Sequence, residues 1–295
     1  MTITEIIDQI PEWKNKHIRY EPLTSGYSNI VYKIAVNDST YALRINGKQN
    51  EFLGLRYADE VAIMSLASNY DLTPRVLEYK NREDYLITEF VEGPLLQETQ
   101  LSQPIYLQKV VDLLKSIHNL PYRGNRQSTQ FSLTRNYLRG AEELGLSYPS
   151  ELNEFIEKMN AIEKERQKDP GYLKHYCHND AFAHNIILRP NDNVTILDWE
   201  LSGLGDIWFD LATVSFSCGF DKAADELMLN LYFGSADEQK RQTLHDIKLV
   251  CMIREIGWAL MHTALNRKRP EPGTDYSDFA NSVLNRLKEG LVTLV

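Results

Sequence analysis

The stretch HNDAFAHNIILRPNDNVTILDWE, residues 178–200, sets three oxygen-bearing side chains among apolar runs: Asp180, Asn185 five residues on, and Asp198 thirteen residues further. NIILR and VTILDW flank RPNDN, which is built of turn formers, so the pattern predicts a short hairpin with Asn185 entering it and Asp198 leaving it. A hard divalent cation such as magnesium takes oxygen ligands, and a hydroxyl that is to attack phosphorus wants a carboxylate within hydrogen-bond reach. Asn185 and Asp198 can supply the first and Asp180 the second. Because a loose phosphoryl transition state is helped mainly by positioning and charge neutralisation, these groups plus a nucleotide clamp would suffice. An Asx-rich turn beside a hairpin is the bland alternative, and the β-rich first half of the chain weakens it.

Upstream, Arg19 to Ile45 reads as IRYEPL, NIVYKIAV and TYALRI, alternating or β-branched segments separated by TSGYS and VNDST, which predicts a meander of about three strands. NEFLGLRYADEVAIMSLASNY then carries Phe52, Leu55, Ala58, Val61, Ala62, Met64 and Leu66 at helical intervals. PRVLEYK and DYLITEFVEG read as two more strands. Beyond Gly93-Pro94 the pattern turns helical: one helix opened by Ser102 with Pro104 in its first turn, another from Ser150 through Met159, and further helical patterns over about 206–233, 237–266 and 275–293. The expectation is a small β-rich lobe joined near Val91–Pro94 to a larger helical one, in the α+β class.

Composition narrows the chemistry. The 295 residues carry 32 Lys and Arg against 41 Asp and Glu, a net charge of −9, with 43% hydrophobic and 25% charged residues. That is ordinary globular composition, adequate for two lobes without disulfides. An acidic balance disfavours the nucleic-acid backbone, so no nucleic-acid partner is expected. Cys177, Cys218 and Cys251 are odd in number and lack C-x-x-C spacing, so neither a disulfide framework nor a zinc site is indicated, and a reducing cytoplasm fits. The N-terminus lacks the basic start and apolar core of a secretory signal. VCMIREIGWALMHTAL is broken by Arg254 and Glu255 and is too short to span a bilayer, so no membrane span is expected.

HNDAFAHN, LDWE and GDIWFDLA resemble the signatures of the aminoglycoside phosphotransferase and choline kinase group, small-molecule kinases with a two-lobed protein-kinase-like fold, and the likeness covers about residues 20–285. Within that group TSGYSNIVYKI resembles the phosphate loop of choline and ethanolamine kinases, and YALRING carries an Arg where most relatives have Lys. The resemblance implies lobes over 1–92, nucleotide-binding, and 93–295, catalytic and acceptor-binding. It implies Asp180 as catalytic base, Asn185 and Asp198 as magnesium ligands, and Arg44 as the contact to ATP phosphates, with Glu60 as its ion-pair partner. A guanidinium binds phosphate and carboxylate in forks, so Arg can serve there. Ser25, Gly26, Ser28 and Asn29 would form the phosphate loop, although a turn with one glycine is weak evidence by itself. Glu89 and Val91 would hold adenine through backbone groups. Asp210 would brace the catalytic loop, His178 would orient it, and His175 and His184 would be surface or packing residues.

A quaternary ammonium donates no hydrogen bond, so a choline site needs aromatic faces and nearby carboxylates. By the resemblance Trp258, Tyr276 and Glu200 would line it. Two departures stand out: Met261 occupies the place of a second tryptophan, and Leu201 replaces an aromatic residue. Ser217 falls near where eukaryotic relatives carry an acidic one. Trp258, Tyr276 and Trp208 could equally be core aromatics. The expected activity is ATP-dependent phosphorylation of choline with magnesium. Its rivals are kinases for ethanolamine, thiamine, an aminoglycoside or a sugar, and a nucleotide-binding pseudokinase.

Overall fold

The alternating segments at the start of the chain form the small lobe of a computed structural model that describes residues 2–23, 29–46, 55–78, 84–121, 124–268 and 275–293. Helix α1 (Ile3–Asp8) opens with a capping box between Thr2 and Glu5. Strands β1 (Ile18–Leu23), β2 (Ile30–Val36) and β3 (Ser39–Ile45) follow, then helix α2 (Tyr57–Ser68) and strands β4 (Val76–Glu78) and β5 (Tyr85–Glu89). The strands form one antiparallel sheet in the order β1-β2-β3-β5-β4, in which Val31 and Leu86 flank Arg44. Ile6, Ile10 and Trp13 cover the inward face of the sheet at Ile34, Leu43 and Ile87. Helix α2 buries Val61, Ile63, Met64 and Ala67 in the second, larger core, which also holds the helical residues downstream.

The chain crosses at Gly93, whose φ is +139°. A Cβ there would lie 2.1 Å from the carbonyl oxygen of Leu188, so only glycine lets the crossing segment run this close. Leu96 N–H donates to Ile186 O and Leu188 N–H to Pro94 O, which ties the connector to the hairpin beneath the site.

The larger lobe contains helices α3 (Glu98–Leu101), α4 (Pro104–His118), α5 (Gln130–Glu143), α6 (Leu152–Arg166), α7 (Trp208–Ser217), α8 (Lys222–Phe233), α9 (Glu238–Lys268) and α10 (Ser277–Lys288). Helix α9 is the spine, packed by α5, α7 and α10. Four three-residue strands, β6 (His175–Cys177), β7 (Ile186–Leu188), β8 (Val194–Ile196) and β9 (Gly203–Gly205), pair as β6 with β9 and β7 with β8.

Three expectations need correction. The helical pattern over 206–233 is two helices, because Gly219 turns the backbone to φ +62° and the Asp221 side chain caps the next helix by accepting from Ala224 N–H at 2.9 Å. Ser102 closes α3 instead of opening α4, which starts with Pro104 at its first position. The half whose pattern turns helical beyond Gly93-Pro94 holds strands β6 and β9 as well as the hairpin of NIILR and VTILDW; three residues are too few to show periodicity. Among the described residues no helix is long and apolar enough to cross a membrane, and all three cysteines are free and buried.

Candidate active site

The loop from β6 to β7, residues 178–185, is pinned from below by Asp210 on α7. Asp210 accepts from the backbone N–H of His178 at 2.9 Å and of Asn179 at 2.6 Å, and from His118 Nε2 at 2.9 Å. Burial pushes the Asp210 carboxyl up, but these donors outweigh it and hold the group below the usual carboxylate range. Its atoms lie within 4.8 Å of donor atoms of His118 and Cys177, yet its oxygens are already engaged by three N–H groups and the set makes no metal site. His178 donates from Nε2 to Leu197 O at 2.9 Å and accepts at Nδ1 from Asp180 N–H at 3.3 Å. That pattern requires a neutral ring, in keeping with burial that lowers its pKa to about 4.

Asn179 adopts φ +67°, in the region that asparagine enters more readily than most non-glycine residues. Next to it, Asp180 receives Asn185 Nδ2 at 2.8 Å on its carboxylate and 3.0 Å on its carbonyl. Burial pushes the Asp180 carboxyl up to about 7, with Arg254 and Asn185 opposing and Asp198 and Glu255 adding to the rise. Leu197 N–H bonds Asn185 O at 2.8 Å, and Asp198 follows at φ +62°. The hairpin therefore delivers Asp198 beside Asn185, and the three residues chosen from spacing share one site.

From the small lobe, Arg44 forks onto Glu60 at 2.8 and 2.6 Å and reaches Asp198 Oδ1 at 3.4 Å. Burial works against the Arg44 charge, but Glu60, Asp198 and Glu200 more than offset it and raise its pKa. Burial likewise raises the carboxyls of Asp198 and Glu200, each of which also faces further negative charge. Asn29 donates to Glu200 at 3.2 Å, joining the strand after the predicted phosphate loop to this anionic group. Ser25, Gly26 and Ser28 lie outside the described residues. Glu89 bonds Arg75 through both its carboxylate and its N–H, and Val91 lies half-buried on the connector.

On α9, Trp258 meets Tyr276 with ring centroids 4.9 Å apart, His262 at 4.6 Å and Phe279 at 6.5 Å. Tyr276 is fixed by its N–H bond to Thr263 Oγ1 at 2.9 Å. Trp258, Tyr276 and Phe279 are half-buried, so this aromatic cluster keeps an open side. Met261 is turned away: fully buried, it packs on Gly140 of α5, where a Cβ would lie 3.2 Å from its sulfur. Ser217 is buried and donates to Val214 O, and Leu201 is buried as well. Trp208 stacks on Phe233 at 4.9 Å as a core aromatic, and the exposed His184 stacks on Phe182.

Sequence reading overlooked Gln130, Tyr137, Arg254 and Glu255. Tyr137 is buried close enough to Asp180, Glu200, Arg254 and Glu255 for their charges to act on its phenol. The signal for the last two was in view, because a charged pair inside an apolar helix must be satisfied by something.

A family model described as the phosphotransferase enzyme family (APH) matches residues 19–244. Protein LicA of Haemophilus influenzae is 26% identical over 202 residues, which are 66% of this chain and 57% of that protein, so the chain spans little more than half of that relative's length. A LicA homolog of Metamycoplasma hominis is 26% identical over 252 residues, 83% of this chain and 90% of that one. The crystal structure of choline kinase LicA from Streptococcus pneumoniae superposes with a TM-score of 0.74 at 20% identity, covering 96% of this chain and 98% of its own. At that identity the likeness establishes the fold, which is protein-kinase-like. The match over residues 19–244 spans most of the 295, and the chain belongs to the phosphotransferase enzyme family.

Proposed function

We propose that this chain transfers the γ-phosphate of ATP to the hydroxyl of choline, giving phosphocholine and ADP, with ethanolamine or another small amino alcohol as the next acceptor. The observation that carries the reading is the convergence of Asp180, Asn185 and Asp198 on the Arg44–Glu60 fork, one lobe supplying each half. Asp180 takes the hydroxyl proton as the oxygen attacks phosphorus, and its carboxyl, pushed up to about 7 by burial, is matched to that task near neutrality. Arg44 holds the nucleotide phosphates with Asn29 and the Ser25, Gly26 and Ser28 loop, Glu60 keeps the guanidinium aimed, and the backbone at Glu89 and Val91 receives adenine. The nucleotide lobe is residues 1–92 and the acceptor lobe 93–295.

The donor set suits magnesium. Asn185 spends its amide nitrogen on Asp180, which leaves the amide oxygen for a cation, and Asp198 adds a carboxylate, both hard oxygen donors. The ion, when bound, neutralises charge on the transferring phosphate. Trp258 and Tyr276 present ring faces to the acceptor's cationic head and Glu200 adds negative charge. Three buried free thiols suit a reducing cytoplasm. Labelled-ATP assays over choline, ethanolamine, thiamine, sugars and aminoglycosides test this: choline should give the highest kcat/KM, and turnover of another class without choline would overturn the assignment.

A further inference from the structure

Arg254 lies 2% exposed on α9, and every contact of its guanidinium serves the catalytic loop or the residues beside it. Nη1 donates to Asn179 O and to Gln130 Oε1, both at 3.1 Å. Gln130 Nε2, from α5, donates to the same Asn179 carbonyl at 2.7 Å. Nε and Nη2 are taken by Glu255 Oε1 at 2.9 and 2.5 Å, and the guanidinium sits over the Phe182 ring at 5.3 Å. Asp180 Oδ1 is 3.9 Å away, beyond hydrogen-bond length.

Burying a guanidinium is costly, and well-packed apolar residues often replace a buried charge pair at no loss of stability. Stability therefore does not explain its presence. What the arrangement achieves is the fixing of the two peptide units on either side of Asn179. The N–H of Asn179 is held by Asp210 at 2.6 Å and its carbonyl by Arg254 and Gln130, which together fix the residue at φ +67°. The carbonyl so held belongs to the peptide bond that leads into Asp180. Nη1, the nitrogen on Asn179 O and Gln130 Oε1, is also the one nearest Asp180 Oδ1 at 3.9 Å, while Glu255 engages Nε and Nη2.

We infer that Arg254 is a positioning residue: with Gln130 it fixes the peptide that carries Asp180, and Glu255 holds its guanidinium in place through the other two nitrogens. The inference rests on the reading of Asp180 as the base. Its consequence is separable from fold stability, because it concerns where the carboxylate stands relative to the acceptor hydroxyl. Displacements of about 1 Å at such a group cost up to roughly a hundredfold in rate.

The test compares the full chain with Arg254→Lys, Arg254→Met, Gln130→Met and Glu255→Gln, measuring kcat and KM for ATP and choline, with the folded fraction counted by nucleotide-binding stoichiometry. Lysine keeps the charge but cannot fork, so both Arg254 variants should lose roughly 10–100-fold in kcat per folded molecule while KM for ATP stays within about twofold. Gln130→Met keeps the core volume and should lose less, and combined with Arg254→Lys it should give less than the product of the two single losses, because both hold one carbonyl. Glu255→Gln, which keeps an acceptor oxygen but weakens its hold, should lower kcat with little change in thermal stability. A merely structural role would lower melting temperatures and leave kcat per folded molecule unchanged, which overturns the inference. Should Arg254→Met fail to fold, full kcat in Arg254→Lys and Gln130→Met overturns it equally. Absence of turnover in the unmodified chain would instead overturn the functional reading, and this inference with it.

Discussion

Arg44 and Asp198 meet at 3.4 Å across the two lobes, with Arg44 already forked onto Glu60 at 2.6 and 2.8 Å. The shorter, two-point contact to Glu60 wins, so the guanidinium is held on the small lobe and only touches the proposed metal ligand. Glu60→Gln removes the charge that holds it there. The freed guanidinium should shift onto Asp198 and compete with the metal. We expect KM for magnesium-ATP to rise about tenfold or more. Glu60→Ala, which breaks a buried pair by deleting one partner, should cost about 3 kcal/mol of stability. Chemical denaturation and ATP kinetics on both variants check this, and unchanged values in both would mean that the fork has no function.

Asp180→Asn preserves the shape of the loop, since Asp210 and His178 hold it through backbone groups. Turnover should fall by about 10²–10⁴, the usual worth of a positioned general base, while nucleotide affinity stays near its original value. Asn185→Ala and Asp198→Ala should each raise the magnesium concentration needed for half-maximal rate. Asp198→Ala should do so more, because it deletes a full charge where Asn185→Ala deletes an amide dipole. Single-turnover rates and magnesium titrations separate these outcomes.

Buried histidines and buried carboxyls pull stability in opposite directions as the pH falls. Burial lowers His262 and His178 to about 4, against an ordinary value of 6.5. Between those two values the unfolded chain binds more protons at these two histidines than the folded one, so their contribution to stability is full above about pH 6.5 and is lost as the pH falls toward 4, while the raised carboxyls of Asp180 and Glu200 act in the opposite sense. Each such histidine contributes up to about 3 kcal/mol to that loss. His262→Phe keeps a ring against Trp258 and should flatten this limb by one group, measurable as the difference in unfolding free energy between pH 7 and pH 4.5.

The sheet, the long helices and the triad of Asp180, Asn185 and Asp198 were legible in the sequence because each rests on local order. Strand alternation runs over six or seven residues, and the triad sits in one 23-residue stretch folded by a hairpin. Arg44 and Glu60 were reachable through the resemblance. The clamp around Asn179 was not, since Gln130, Asn179 and Arg254 come from three elements far apart in the chain. Helix α5 went unseen although Phe131, Leu133, Tyr137, Leu138 and Ala141 lie on its buried face, where Gln130, Thr134 and Gly140 interleave polar and small residues with them. The packing of Met261 against Gly140 was not legible either, because standing at the position of a tryptophan says nothing of which way the side chain faces.

That orientation yields the last prediction. Trp258 stands half-buried between Tyr276 at 4.9 Å and His262 at 4.6 Å, while Met261, three residues on, is fully buried against Gly140. If the ring face of Trp258 receives a quaternary ammonium, Trp258→Leu keeps apolar bulk but loses the π-face, at about 0.5–2 kcal/mol of acceptor binding. That corresponds to a rise of roughly two- to thirtyfold in KM for choline. KM for ATP should not move, because the Arg44 fork lies on the other lobe. Met261→Trp should not add a second face to the pocket. It forces a larger ring into the α5–α9 contact, where overpacking costs about 1–3 kcal/mol, so it should lower the melting temperature and leave the ratio of choline to ethanolamine turnover unchanged. Kinetics with both acceptors in the three proteins, with thermal unfolding alongside, decide between the two positions. Unchanged choline kinetics in a well-folded Trp258→Leu would make Trp258 a core residue and move the acceptor's cationic head elsewhere.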